Sequence, residues 1–127
     1  MAKTLGIGGV FFRARDRAAL AAWYAEHLGF EIDGAFGGSV FTPGSMPEGG
    51  YTIWSPFAED TSYFGASGQS YMLNLVVDDV RGALEQVAAG GAEVATDLAE
   101  SEFGIFGWFT DPEGHRVELW QPPPAAS

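Results

Sequence analysis

The chain has 127 residues, 46% of them hydrophobic and 18% charged, with 17 acidic against 6 basic side chains and a net charge of −11. That suits one domain, or two small fused halves, with a real core, and argues against disorder. Six cations cannot neutralise a row of phosphates, so nucleic-acid and anionic-membrane partners are not expected, whereas a neutral or cationic ligand is compatible with the charge. Without cysteine there are no disulfides, no thiol catalysis and no Cys-ligated metal.

The opening Met1-Ala2-Lys3-Thr4-Leu5-Gly6 has no apolar h-region, so it does not read as a signal peptide. No apolar run approaches the ~20 residues of a membrane span. A cytoplasmic protein is expected.

In chain order, a strand-like run from Gly8 ends at Asp16, a good helix N-cap. Leu20, Trp23, Tyr24, His27 and Leu28 then fall on one apolar helix face, and Gly29 is placed to end the helix. A second strand follows at Phe30–Ile32, with a further pair at Val40–Thr42 and Tyr51–Ser55 around a Pro/Gly-rich loop. Residues 58–69, rich in Ser and Gly, join the halves. The order then repeats. The run from Met72 ends at Asp78-Asp79, one of which caps a helix carrying Val80, Leu84, Val87 and Ala88. Gly90-Gly91 closes that helix, and Ala92–Val94 starts the next strand. Phe103–Thr110 and His115–Gln121 form a hairpin across the type I turn Asp111-Pro112-Glu113-Gly114. The halves rhyme again at Ile53-Trp54-Ser55-Pro56 and Leu119-Trp120-Gln121-Pro122. This predicts a duplicated module: residues 1–57, a linker at 58–69, residues 70–122, and a Pro-rich tail at 123–127 that cannot join a ladder.

On Asp16 with Trp23-Tyr24 and Leu28-Gly29, on Val77-Asp78-Asp79-Val80, and above all on the run Phe109-Thr110-Asp111-Pro112-Glu113-Gly114-His115-Arg116-Val117-Glu118-Leu119-Trp120, the sequence is identified as a member of the vicinal oxygen chelate superfamily. This is the glyoxalase/bleomycin-resistance/dioxygenase group. The resemblance implies an α+β fold: duplicated βαβββ modules whose mixed sheet curls into a cup, helices outside and a small molecule inside. It does not imply one reaction. In the family's metal enzymes the ligands come from the first and last strand of each module. Carried over position by position, these are Gly9, Thr52, Met72 and Glu118, of which only Glu118 is a good ligand for a hard or borderline divalent ion. His27 lies on the helix stripe and His115 follows a turn, so neither completes the set. No metal and no other cofactor is expected. The resemblance also implies a homodimer, the commonest oligomer.

Strand alternation sorts the side chains. Arg116, Glu118 and Trp120 share the cup face of the last strand, Met72 and Asn74 that of the second module's first strand, and Phe11, Thr52 and Trp54 come from the first half, with Trp108 from the hairpin partner. The expected site is an aromatic pocket of Phe11, Trp54, Trp108 and Trp120 with Thr52, Met72, Asn74 and Arg116 as further ligand contacts and Glu118 as its carboxylate. The bland alternatives are an aromatic core and a Glu118 that only balances Arg116 or Arg13. The favoured reading is metal-free binding of a small organic molecule, resembling the bleomycin-resistance type of protein. The alternatives are a metal-independent lyase or isomerase with Glu118 as general base, a metal-dependent lyase or dioxygenase, and an interaction module whose cup a partner chain fills.

Overall fold

The computed structural model describes the chain except for Met1, Thr4, Gly6, Gly8, Ser67 and residues 125–127. The Gly8 end of the first expected strand, one linker position and the end of the Pro-rich tail therefore lie outside the described residues.

Both helices form where local chemistry places them. Helix α1 (Arg17–Leu28) starts at Asp16, whose Oδ1 accepts the Ala19 amide at 3.0 Å, and ends at Gly29 in the left-handed region at φ 71°. Helix α2 (Val80–Ala89) is capped by Asp79 rather than Asp78: its Oδ1 accepts the Gly82 amide at 3.0 Å. The α2 stripe is Val80, Ala83, Leu84 and Val87; Ala88, expected on it, faces solvent.

Five strands follow: β1 (Leu73–Val76), β2 (Glu93–Val94), β3 (Ala99–Ser101), β4 (Gly104–Thr110) and β5 (Arg116–Gln121). They form one mixed sheet in the order β1-β5-β4-β2, with β3 also on β4. β1 runs parallel to β5, and the other pairs are antiparallel. The helices cover one face. Leu20 and Tyr24 of α1 and the α2 stripe close over Phe109, Val117 and Leu119. Burying each of the larger of these side chains contributes ~1.5–3 kcal/mol. Two side-chain bonds tie the helices together: Trp23 Nε1 donates to the Gly90 carbonyl at 3.0 Å, and Gln86 Nε2 to the His27 carbonyl at 2.9 Å.

The β4–β5 turn is a hub as well as a reversal. Asp111, buried, accepts on Oδ1 from the amides of Glu113 (2.9 Å) and His115 (3.0 Å). Its Oδ2 accepts the Tyr24 hydroxyl at 2.9 Å and lies 3.1 Å from His115 Nδ1. Burial, reinforced by Asp111, pushes the Tyr24 phenol up, so it remains a donor. From the same turn Glu113 reaches the start of α1: Oε1 accepts the Arg15 amide and Oε2 the Asp16 amide, both at 2.9 Å. The Arg15 amide first, then that of Asp16, with the Arg15 guanidinium adding to them, holds the Glu113 carboxyl below its ordinary value of 4.5. A lowered folded-state pKa contributes stability that is complete above the unfolded value and is lost as the pH falls through the folded one. Melting temperatures of wild type and Glu113→Gln should therefore differ at neutral pH and converge below the carboxylate range; a gap that persists in acid counts against this clip.

The first half differs from expectation. Its helix is present, but among the described residues its strand-like runs make no ladder, only an isolated bridge between Ile32 and Ser39. Phe11 is 96% and Trp54 79% exposed, and Val10, Phe41 and Ile53 also face solvent. The physical reason is that strand character is relational. β-prone composition makes a run fit a sheet, but the run needs a neighbour's N–H and C=O groups, and among the described residues none pairs with them beyond the Ile32–Ser39 bridge. The sheet stays unclosed.

Candidate functional site

The sheet's second face carries the candidate site. Registry places Asn74, Glu118 and Trp108 side by side across β1, β5 and β4, with Val76, Trp120 and Phe106 in the next row. This is the face that alternation assigned to the cup, including the phase of Trp108.

Glu118 is a charged group only 6% exposed. Isolated, it would be costly to bury. It is instead surrounded by neutral donors: Asn74 Nδ2 to Oε1 at 2.6 Å, and on Oε2 both Trp108 Nε1 at 2.9 Å and the Tyr63 hydroxyl. Burial first, then the bond to Glu118, pushes the Tyr63 phenol up, which keeps it a donor. Among the described residues no ion pair involves Glu118. Arg116 turns its guanidinium onto the Trp108 ring, 5.4 Å from the centroid. Arg116 Nε is buried without a hydrogen-bond partner among the described residues.

Aromatic rings complete the face. Phe106 stacks on Trp120 at 6.1 Å, Tyr51 meets Trp120 edge-on at 5.2 Å, and Tyr63 stands edge-on to Trp108 at 6.0 Å. Trp120 Nε1 donates to the Phe103 carbonyl at 2.7 Å. The structure thus brings Glu118, Asn74, Trp108, Arg116 and Trp120 onto one face, with Met72 half-buried just before β1. It does not bring Phe11, Thr52 or Trp54 to them within one chain; all three are exposed. An open groove of about 430 Å³ borders Glu93, Thr110 and Arg116 but does not reach Glu118.

Sequence reasoning missed Tyr63 and Gln69. The linker holding them does more than tether: Gln69 takes the Arg116 amide at 2.7 Å and gives its own amide to the Arg116 carbonyl at 2.9 Å, pinning the chain to the outer end of β5. The available signal was the pair Tyr63-Phe64 inside an otherwise Ser/Gly-rich stretch.

The donor set does not suit a divalent cation. Of the four positions carried over from the family's metal enzymes only Glu118 offers a carboxylate or imidazole; Thr52, Met72 and Gly9 offer none. Among the described residues no three His, Cys, Asp or Glu side chains converge. Among the described residues no helix is long and apolar enough to cross a membrane.

An unclosed mixed sheet with helices on one face and a buried carboxylate among aromatic rings on the other makes this a small α+β protein with one elaborated sheet face. The chain belongs to the glyoxalase-like domain family, whose model matches residues 9–120. No curated protein matches it. Among solved structures it is similar to TnmS3, an antibiotic-binding protein from Streptomyces sp. CB03234, at 19% identity and a TM-score of 0.51, over 87% of this chain and 89% of that one. It is also similar to a protein of unknown function from Agrobacterium tumefaciens str. C58, at 22% identity and a TM-score of 0.53, over 94% and 100%. Both likenesses concern the fold.

Proposed function

We propose that the chain is a bleomycin-resistance-like binding protein that holds a small organic molecule, neutral or cationic, against the Glu118 face without a metal, and does so as a homodimer. The observation that carries this reading is the row Asn74–Glu118–Trp108: a desolvated carboxylate ringed by neutral donors on an aromatic face. Such a group anchors a ligand that offers a donor or a positive charge, and the rings supply stacking area. TnmS3 supports the reading only in showing that this fold can carry a binding protein. The net charge of −11 favours a cation over an anion.

The dimer rests on the exposed apolar runs of the first half. Phe11, Phe41, Ile53 and Trp54 are too apolar for a solvated loop. A second copy that pairs with those runs would give them ladder partners and bring Phe11, Thr52 and Trp54 over the site. On this reading the division into modules at 1–57 and 70–122 holds, and a module closes only against another.

The test combines three measurements. Proflavine, a planar aromatic cation, should raise the melting temperature in proportion to its occupancy, while an anionic naphthalene sulfonate should not. Light scattering should give twice the chain mass of 13.5 kDa. Elemental analysis should find no stoichiometric divalent metal. A monomer at working concentration, no thermal response to proflavine, or one tightly bound metal per chain lost on Glu118→Ala would each overturn its part of the proposal. Recovery of proflavine unchanged after incubation separates binding from turnover.

A further inference from the structure

Tyr63 is 40% exposed, yet its hydroxyl sits on a carboxylate that is almost fully buried. Its ring stands edge-on to Trp108 and is backed by Phe57, stacked at 5.5 Å. The segment that carries it, residues 57 to 66, has no helix or strand and is held by short-range turns: the Thr61 amide on the Ala58 carbonyl and the Gly65 amide on the Ser62 carbonyl, both at 3.0 Å. After Tyr63, Gly65 sits at φ 82°, where a Cβ would fall 2.7 Å from Arg116 Cδ, so the chain lies flat on the Arg116 side chain. Beneath it, Arg116 Nε is a buried donor with no acceptor among the described residues. The segment therefore covers two groups with unequal success: it satisfies Glu118 with a phenol and leaves Arg116 Nε unsatisfied, at a cost in free energy.

We propose that residues 57 to 66 are a built-in occupant of the cup, with the Tyr63 phenol standing in for the ligand. The ligand class follows from what the stand-in does and fails to do. It is a planar aromatic compound with an O–H or N–H donor for Glu118 and, near that donor, an acceptor oxygen that Arg116 Nε can reach once the segment lifts. This inference rests on the binding reading above and adds that the free protein is partly blocked by itself. Apparent affinity is then the intrinsic affinity reduced by the fraction of molecules with the segment lifted. Lifting exchanges one phenol for another at Glu118 and gains a partner for Arg116, so a matched ligand displaces the segment where a bare ring does not.

Three naphthalenes serve as probes: 4-hydroxy-2-acetonaphthone, which has a donor and a nearby acceptor placed 1,3 so that they cannot bond to each other, 2-naphthol, which has the donor alone, and 2-methoxynaphthalene, which has no donor. Binding is read from the indole N–H resonance of Trp108, identified with Trp108→Phe. Tyr63→Ala should bind the two hydroxyl probes about tenfold more tightly than wild type, and Tyr63→Phe, which keeps the ring but frees Glu118, should fall between. The acetonaphthone should exceed 2-naphthol, and 2-methoxynaphthalene should bind weakly throughout. Circular dichroism checks folding, and Tyr63→Phe carries the test if the alanine variant is unstable. Hydroxyl probes that move the Trp108 resonance in wild type but bind Tyr63→Phe and Tyr63→Ala no more tightly would overturn the occupant and leave the binding site standing, with Tyr63 as part of its wall. No response of Trp108 to any probe in any folded variant would overturn both.

Discussion

Asp111→Ala is expected to cost about 3 kcal/mol or more of folding stability, because one buried and two half-buried donors lose their acceptor at once. The Tyr24 hydroxyl and the Glu113 and His115 amides all converge on this carboxylate. None has another partner in reach of equal quality: Tyr24 is 7% exposed and points from α1 into the core, and the two amides close the β4–β5 turn. Loss of the hub also frees the turn that presents Glu113 to the Arg15 and Asp16 amides, so the hairpin and α1 uncouple together. Asp111→Asn keeps one carbonyl oxygen for the turn amides, and its new amide can donate to the Tyr24 oxygen; its cost should be about 1 kcal/mol. Urea unfolding checks both. The alanine midpoint should fall with little change in slope, and a loss within about 0.5 kcal/mol, the range of ordinary surface substitutions, would show that water replaces the carboxylate and that the hub is not structural.

How legible such features are depends on how far apart the partners lie. Asp16, Gly29 and the pair Asp78-Asp79 were readable as helix ends because a cap bonds to residues three or four away; that Asp79 is the cap came from the structure. The cup face of β1, β4 and β5 was readable because alternation is local and a single phase fixes it. Asp111 looked like the first residue of a turn, which it is; its bond to Tyr24 spans 87 positions and leaves no mark in the spacing. Tyr63 reaches Glu118 across 55 positions from a stretch whose composition reads as a tether. The first half shows the converse limit. Its runs are made of β-prone residues, but composition states only that a run can be paired, and among the described residues no pairing partner forms a ladder with them. For the same reason Phe11, Thr52 and Trp54, expected in the cup by their place in the repeat, lie apart from Glu118 here.

Glu118→Gln should separate binding from folding. The substitution removes the charge and turns one oxygen into a donor. Tyr63 and Trp108 both donate to one oxygen, Oε2, so they can keep the glutamine carbonyl, while the new amide faces Asn74. Asn74 lies at the exposed edge and can turn its own amide over to present an oxygen. The network closes again, and stability should change by less than about 1 kcal/mol. Proflavine binding should nevertheless weaken by ~1.5–3 kcal/mol, the worth of a charge-assisted contact, or roughly ten- to a hundredfold. Glu118→Ala cannot close the network. It strands the Trp108 indole, which is buried, and opens space beside it, so it should lose about 2–4 kcal/mol of stability as well as the ligand. If Glu118 served only to balance a cation, Glu118→Gln would leave that cation buried and unpaired at a cost of ~3–5 kcal/mol. The neutral partners found around Glu118 predict the opposite. A large fall in melting temperature for Glu118→Gln with proflavine affinity unchanged would make the residue structural; a preserved melting temperature with lost affinity makes it the anchor of the site.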